Sequence, residues 1–233
     1  MRMIKHNRGF TITELMIATA VFSVLLLLSL AGFLQIGQLF YKGVNITQTS
    51  DVANQVVKSL KNDISFDPQS SLVAIQYDNL ATPPTERGYF CAGSSRYGFI
   101  LGKQLDREAQ TAEMRGPSAL DPSGWHRFAL LKDKLGVSGS CPNPFLAGSP
   151  NRFDPNTVTE LLGDKMRISN LAITQLPGSN NKLYTISITV AYGDDEVLEN
   201  PNDASPRCLG SPAYSKYCFV TSLRTVARKG LEP

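Results

Sequence analysis

The chain opens on a basic stretch and then turns uniformly apolar. Leu15 to Leu34 reads LMIATAVFSVLLLLSLAGFL, twenty residues without a charge, and the uncharged stretch continues to Tyr41 before Lys42. At about 1.5 Å of rise per residue, such a helix matches a hydrocarbon core of roughly 30 Å. After Lys42 the pattern becomes amphipathic: Ala53, Val56, Val57, Leu60 and Ile64 fall on one helical stripe among Asp51, Asn54, Lys58, Lys61 and Asn62. The helix is expected to stop by Ser65 or Phe66, because Asp67 precedes Pro68 and is biased away from helical geometry. Uninterrupted from Phe10, it would be on the order of 80 Å long. Its first half suits a membrane or another apolar surrounding, and its second half suits a domain core.

Beyond the helix the period shortens. Residues 68–160 hold nine of the fourteen prolines, with short strand-like runs at Leu72 to Tyr77, Tyr97 to Leu101 and Trp125 to Leu131. Asp154, Pro155 and the run to Leu162 before Gly163 predict a short helix. From Leu183 to Tyr192, Tyr184, Ile186, Ile188, Val190 and Tyr192 alternate with Thr185, Ser187, Thr189 and Ala191, a period of two that marks a half-buried strand. Arg167 to Leu176 and Phe219 to Ala227 supply weaker strands, the first joined to it by the loop Pro177 to Asn181. The expected fold is α+β, a long N-terminal helix with a membrane-spanning first half, packed on a C-terminal antiparallel sheet.

Charge sets the orientation of this layout. The chain of 233 residues carries 23 basic and 20 acidic side chains, but Arg2, Lys5 and Arg8 account for the excess, so the remainder is formally neutral. That balance gives no support to nucleic-acid binding. The basic cluster before the apolar run places residues 1–9 in the cytoplasm and everything after about Tyr41 on the exported side. A cleaved secretory signal is the competing reading, but its apolar region is usually shorter. Glu14 stands directly before Leu15, where an ionisable group costs a few kcal/mol unless it is paired or reaches the headgroup level.

Read as RGFTITELM behind a short basic leader, residues 8–16 resemble the processing and methylation motif of type IV pilins and type II secretion pseudopilins. The resemblance implies that Gly9 ends a leader, residues 1–9, removed by the prepilin peptidase, and that Phe10 becomes the methylated N-terminus. It implies further that Glu14 pairs with the amino group of Phe10 in a neighbouring subunit, setting the stagger between helices. The mature parts would be a helix over 10–66, with its transmembrane segment at about 15–41, and an exported β-rich domain over 67–233. The partners implied are the peptidase, other pilin subunits and the inner-membrane assembly platform, with no cofactor. Many major pilins have a helix-kinking proline in this segment; here none precedes Pro68, and Gly32 and Gly37 are the positions that would loosen the helix. The strand ending in AYGDDE and a later cysteine-bounded loop are similar to W-type or J-type minor pilins. The function implied is that of a structural minor pilin, held in the cytoplasmic membrane and then carried into a pilus at the cell surface. A pseudopilin of a type II secretion system and a membrane-anchored exported enzyme are the alternatives.

Candidate chemistry in the exported part is sparse. Cys91, Cys141, Cys208 and Cys218 are even in number and fit disulfides in an oxidising compartment, or buried thiols. Cys208 and Cys218 bracket LGSPAYSKY at a spacing that suits a staple, and Cys91 with Cys141 would complete the set, although four cysteines allow three pairings and sequence does not choose. Asp194, Asp195 and Glu196, with Glu199, Asn200, Asn202 and Asp203, supply oxygen atoms that suit calcium, but the spacing matches no EF-hand and a solvated loop is the default. The one exported histidine, His126, belongs to no H-E-x-x-H motif, and there is no G-x-S-x-G or Walker loop. No catalytic residue and no metal site is assigned.

Overall fold

The computed structural model describes residues 11–66, 75–77, 87–102, 130–134, 141–145, 153, 158–180, 182–200, 206–210 and 217–230. Helix α1 spans Ile12–Ser65 without a break, including at Gly32 and Gly37. The chain divides into two compact units, residues 1–41 and residues 42–233, each described by itself.

In the second unit, β1 (Gln76–Tyr77), β2 (Arg87–Ala92), β3 (Ser95–Ile100), β4 (Leu130–Lys134) and β5 (Thr159–Glu160) make an antiparallel sheet in chain order. Strands β6 (Met166–Gln175) and β7 (Leu183–Tyr192) follow, then a ribbon of β8 (Leu198–Glu199) and β9 (Arg207–Cys208), then β10 (Phe219–Arg228). The long strands form a second antiparallel sheet in the order β10-β7-β6. This is an α+β layout, with one long N-terminal helix and antiparallel sheets.

The helical stripe enters one shared core. Ala53, Val56, Leu60 and Ile64 are buried in a cluster with Phe90, Tyr97, Phe99 and Leu130 of one sheet and Ile168, Ile186, Ile188 and Val190 of the other. The alternation in β7 is the cause on the second sheet, since every other side chain faces inward. Strand β2 has no such alternation: from Gly88 to Ala92 all residues are buried. One side of its sheet meets the main core, while the other carries a smaller cluster of Ile100, Leu131 and Phe153, so its strands do not show the polar-out pattern by which strands are recognised. Glycine is required where rings cross this sheet: a Cβ on Gly88 would lie 2.5 Å from Phe99 Cζ, and one on Gly98 would collide with the Phe153 ring.

The helix expected at Asp154 to Leu162 is not formed where the chain is described; residues 154–157 lie outside that part. Thr159 and Glu160 are strand β5, paired with Lys132 and Leu131. Glu160 Oε1 accepts the Leu130 N–H at 2.9 Å and the Leu162 N–H at 3.0 Å, so pairing to β4 overrides the local helix signal. Of the runs expected at Trp125 to Leu131 and Leu72 to Tyr77, the described parts lie in strands at Leu130–Lys134 and Gln76–Tyr77, while residues 125–129 and 72–74 lie outside the described residues.

A polar contact fixes the end of α1 to the first sheet. Tyr97, fully buried, donates its hydroxyl to Asp63 Oδ2 at 2.6 Å and stacks on Phe90 with ring centroids 4.9 Å apart. Lys132 Nζ lies 2.9 Å from the same carboxylate and 3.0 Å from Ser59 Oγ. Burial first, and then the Asp63 charge, push the Tyr97 phenol well above its ordinary value of 10.0. A proton held more tightly in the folded state gives stability that is complete below about pH 10 and is lost as pH rises beyond it. Thermal unfolding between pH 8 and pH 11 is therefore expected to show a loss of stability on the alkaline side that is shallower in Tyr97→Phe.

Candidate functional site

Among the described residues, the apolar side chains of the first unit are exposed. The most apolar window of α1, near the N-terminus, has none of its residues buried, and Leu28 and Phe33 are 66% and 74% exposed. The first residue of α1 to be buried is Thr49. So long an apolar surface is not left in water; lipid or other apolar helices must cover it. The hydroxyls of Thr19, Ser23 and Ser29 along it are satisfied within the helix. Thr19 Oγ1 donates to Met16 O at 3.0 Å, and Ser23 and Ser29 donate to the carbonyls four residues back, Thr19 O and Leu25 O, at 2.8 Å each. These bonds leave no bare hydroxyl in a hydrocarbon setting. At the other end of the apolar run, Phe40 and Tyr41 meet edge to face at 6.3 Å just before Lys42, the kind of aromatic and basic border found at a membrane surface.

Glu14 opens this helix. Its Oε2 accepts both the Thr11 N–H and the Thr11 hydroxyl at 2.9 Å, and the Glu14 N–H donates back to Thr11 Oγ1 at 3.3 Å. This is a reciprocal capping box, Thr11 at the cap and Glu14 three residues on. The spacing T-x-x-E stands in the sequence at Thr11 to Glu14, beside the charge and the motif position of Glu14. A single copy thus satisfies the carboxylate at the mouth of the apolar run, on the exposed surface. Gly9 and Phe10 lie outside the described residues.

The second unit holds two disulfides, Cys91–Cys141 and Cys208–Cys218, with Cα separations of 5.7 and 5.6 Å. They close sequence separations of 50 and 10 residues, for which chain entropy gives about 4 and about 2.7 kcal/mol. Chemical denaturation of the Cys91→Ser/Cys141→Ser and Cys208→Ser/Cys218→Ser proteins is expected to show the larger loss for the longer loop. Equal losses would contradict the entropic account.

The acidic loop after β7 is engaged in ion pairs. Lys165 Nζ lies 2.8 Å from Asp194 Oδ2, and that hydrogen bond raises the lysine above its ordinary value. Asp195 pairs with Arg167, whose guanidinium is buried and also donates to Gly102 O at 3.2 Å and Gly193 O at 2.8 Å. Arg167 thereby ties β6 to the loop after β7 and to the end of the other sheet, where the Gly102 N–H also bonds Ile168 O at 2.7 Å. No sequence signal marked Arg167 as an internal anchor, since it reads as the polar start of a weak strand. Asp194 and Asp195 each spend an oxygen on a cation, Glu196 is exposed beside them, and Asn202 and Asp203 lie outside the described residues. Among the described residues no group of three or more His, Cys, Asp or Glu is placed to hold a metal ion. His126 lies outside the described residues.

A bare apolar helix, opened by a capped carboxylate and followed by a disulfide-bonded α+β domain, has the layout of a pilin-like subunit and fits membrane anchoring. Residues 4–30 match the family described as the prokaryotic N-terminal methylation motif, and in this segment the chain is type IV prepilin-like. No curated protein and no solved structure matches the chain. The matched motif points to a structural subunit, to processing by a peptidase and to assembly with other pilins.

Proposed function

We propose that the chain is a minor pilin of a type IV pilus, cut after Gly9, methylated at Phe10, and incorporated into a filament or priming its growth. The observation that carries this reading is the methylation motif at residues 4–30 leading directly into a helix whose apolar surface is bare in a single copy. In the membrane, lipid covers that surface; in a filament, neighbouring helices do. The same contacts serve both states, because packing among apolar helices replaces contacts with lipid tails at little cost in apolar transfer.

In this reading residues 1–9 are a cytoplasmic leader and residues 67–233 face outward on the exported side. Glu14 and the new amino group of Phe10 in the next subunit neutralise each other as both leave water, which favours one stagger over the rest. The inner-membrane assembly platform supplies the extraction step. The test is the intact mass and N-terminal sequence of the chain recovered from membranes of cells with and without the prepilin peptidase. A chain starting at methylated Phe10 when the peptidase is present, and at Met1 when it is absent, is expected. A chain that keeps residues 1–9 in both would overturn the proposal.

A further inference from the structure

The two outer strands of the three-stranded sheet are finished differently. Strand β6 carries a bulge between Ile168 and Asn170, and the Gly102 N–H occupies Ile168 O on its outer side. Both devices blunt an edge against further pairing. Strand β10 has neither. It pairs with β7 over ten consecutive positions without a register shift, from Phe219 opposite Tyr192 to Arg228 opposite Leu183. It contains no proline and no lysine.

The direction of the backbone groups on β10 follows from the ladder. The Lys229 N–H bonds Lys182 O at 2.7 Å, so the opposed pair 229/182 is a hydrogen-bonded one. Alternation then assigns Ala227, Thr225, Leu223, Thr221 and Phe219 to β7 and turns the N–H and C=O groups of Val220, Ser222, Arg224, Val226 and Arg228 away from it. Among the described residues, no backbone hydrogen bond outside the sheet involves these five. Their side chains share the face opposite the main core, with Arg224, Arg228 and the 47% exposed Val226 on the surface. The thirty residues of β6, β7 and β10 contain Arg167, Arg224 and Arg228 and no aspartate or glutamate. Arg167 is committed to Asp195, and neither of the other two arginines has an ion pair among the described residues.

The geometry points to β10 as a docking edge that takes up one extended strand from another protein, with acidic side chains flanking an apolar one on the face that meets Arg224, Val226 and Arg228. Such a strand completes the backbone ladder, and its carboxylates lie opposite or diagonal to the arginines, the arrangement in which cross-strand pairs stabilise a sheet. A second β10 is the poorer occupant. It would bring four arginines onto one face with no acid among them, and the same charges that attract an acidic strand hold copies of the edge apart.

The test uses the full chain in detergent and a short synthetic peptide in which glutamate, valine and glutamate alternate with threonine. Residue-resolved amide exchange is expected to slow by about tenfold or more at Val220, Ser222, Arg224, Val226 and Arg228, and at no other strand edge. The same peptide with lysine for glutamate should give no protection, and Arg224→Glu/Arg228→Glu should exchange the two preferences. Val226→Pro should abolish protection while leaving the domain folded, because the lost N–H faces away from β7 and the β7 ladder keeps all its bonds. Equal protection by both peptides, protection elsewhere, or no protection at the peptide's solubility limit overturns the proposal. So does protection of these five amides without peptide that grows with protein concentration, which would make the edge a contact between copies.

Discussion

Glu14→Gln is expected to remove the chain from the proposed filament while leaving the proposed cleavage after Gly9 intact. Glutamine still offers an oxygen to the Thr11 N–H and hydroxyl, so the capping box that starts α1 survives and the helix begins where it did. What is lost is the charge. In the proposed filament Glu14 faces the amino terminus of a neighbouring Phe10, away from water, and removing one member of such a pair costs about 3–5 kcal/mol because the other is left buried and unpaired. At about 1.4 kcal/mol per decade, that is a hundredfold or larger drop in the share of chain recovered in sheared filaments. Intact mass of the membrane fraction reports the cleavage separately. If Glu14→Gln entered filaments as well as the natural chain does, the carboxylate would be a helix cap and nothing more.

Arg167→Ala is expected to lower the stability of the second unit by about 3–5 kcal/mol, more than Asp195→Ala does. The asymmetry comes from burial. The Arg167 side chain is 1% exposed and the Asp195 side chain 60%. Removing the aspartate leaves a guanidinium still bonded to Gly102 O and Gly193 O. Removing the arginine strips both carbonyls of a charged donor, leaves a cavity, and releases the tie between the two sheets. Denaturant titration of the full chain in detergent, followed by near-ultraviolet dichroism of the aromatic core, measures both. Equal effects of the two substitutions would mean that the exposed ion pair, and not the pair of carbonyl bonds, holds the arginine.

The parts of the fold that were legible rest on local, repeated signals. The stripe Ala53, Val56, Leu60 and Ile64 is one face of a helix whatever it packs against, and the alternation from Tyr184 to Tyr192 is one face of a strand. Strand β2 was not legible, because burial on both faces removes the alternation that would announce it. At Thr159–Glu160 the local signal and the structure differ, because an N-cap, a proline and a glycine stop describe what a segment prefers alone, and β4 offers it backbone partners. At the N-terminus the motif RGFTITELM and the T-x-x-E spacing are both local, and the structure makes the spacing a cap through the bonds between Thr11 and Glu14.

The sequence by itself determined the order of the parts: a basic stretch, a methylation motif, an apolar helix long enough to cross a bilayer, and an α+β domain after it. These follow from composition and period along the chain, which need no knowledge of what lies nearby in space. The tertiary structure decided which cysteines pair, that Arg167 joins two sheets, that Asp194 and Asp195 face cations of their own chain, and that β6 is blunted while β10, among the described residues, pairs on one side only. Each of these depends on residues far apart in sequence meeting at hydrogen-bonding distance. Partners of that kind leave no periodic trace in either segment, so they become visible when the chain has folded.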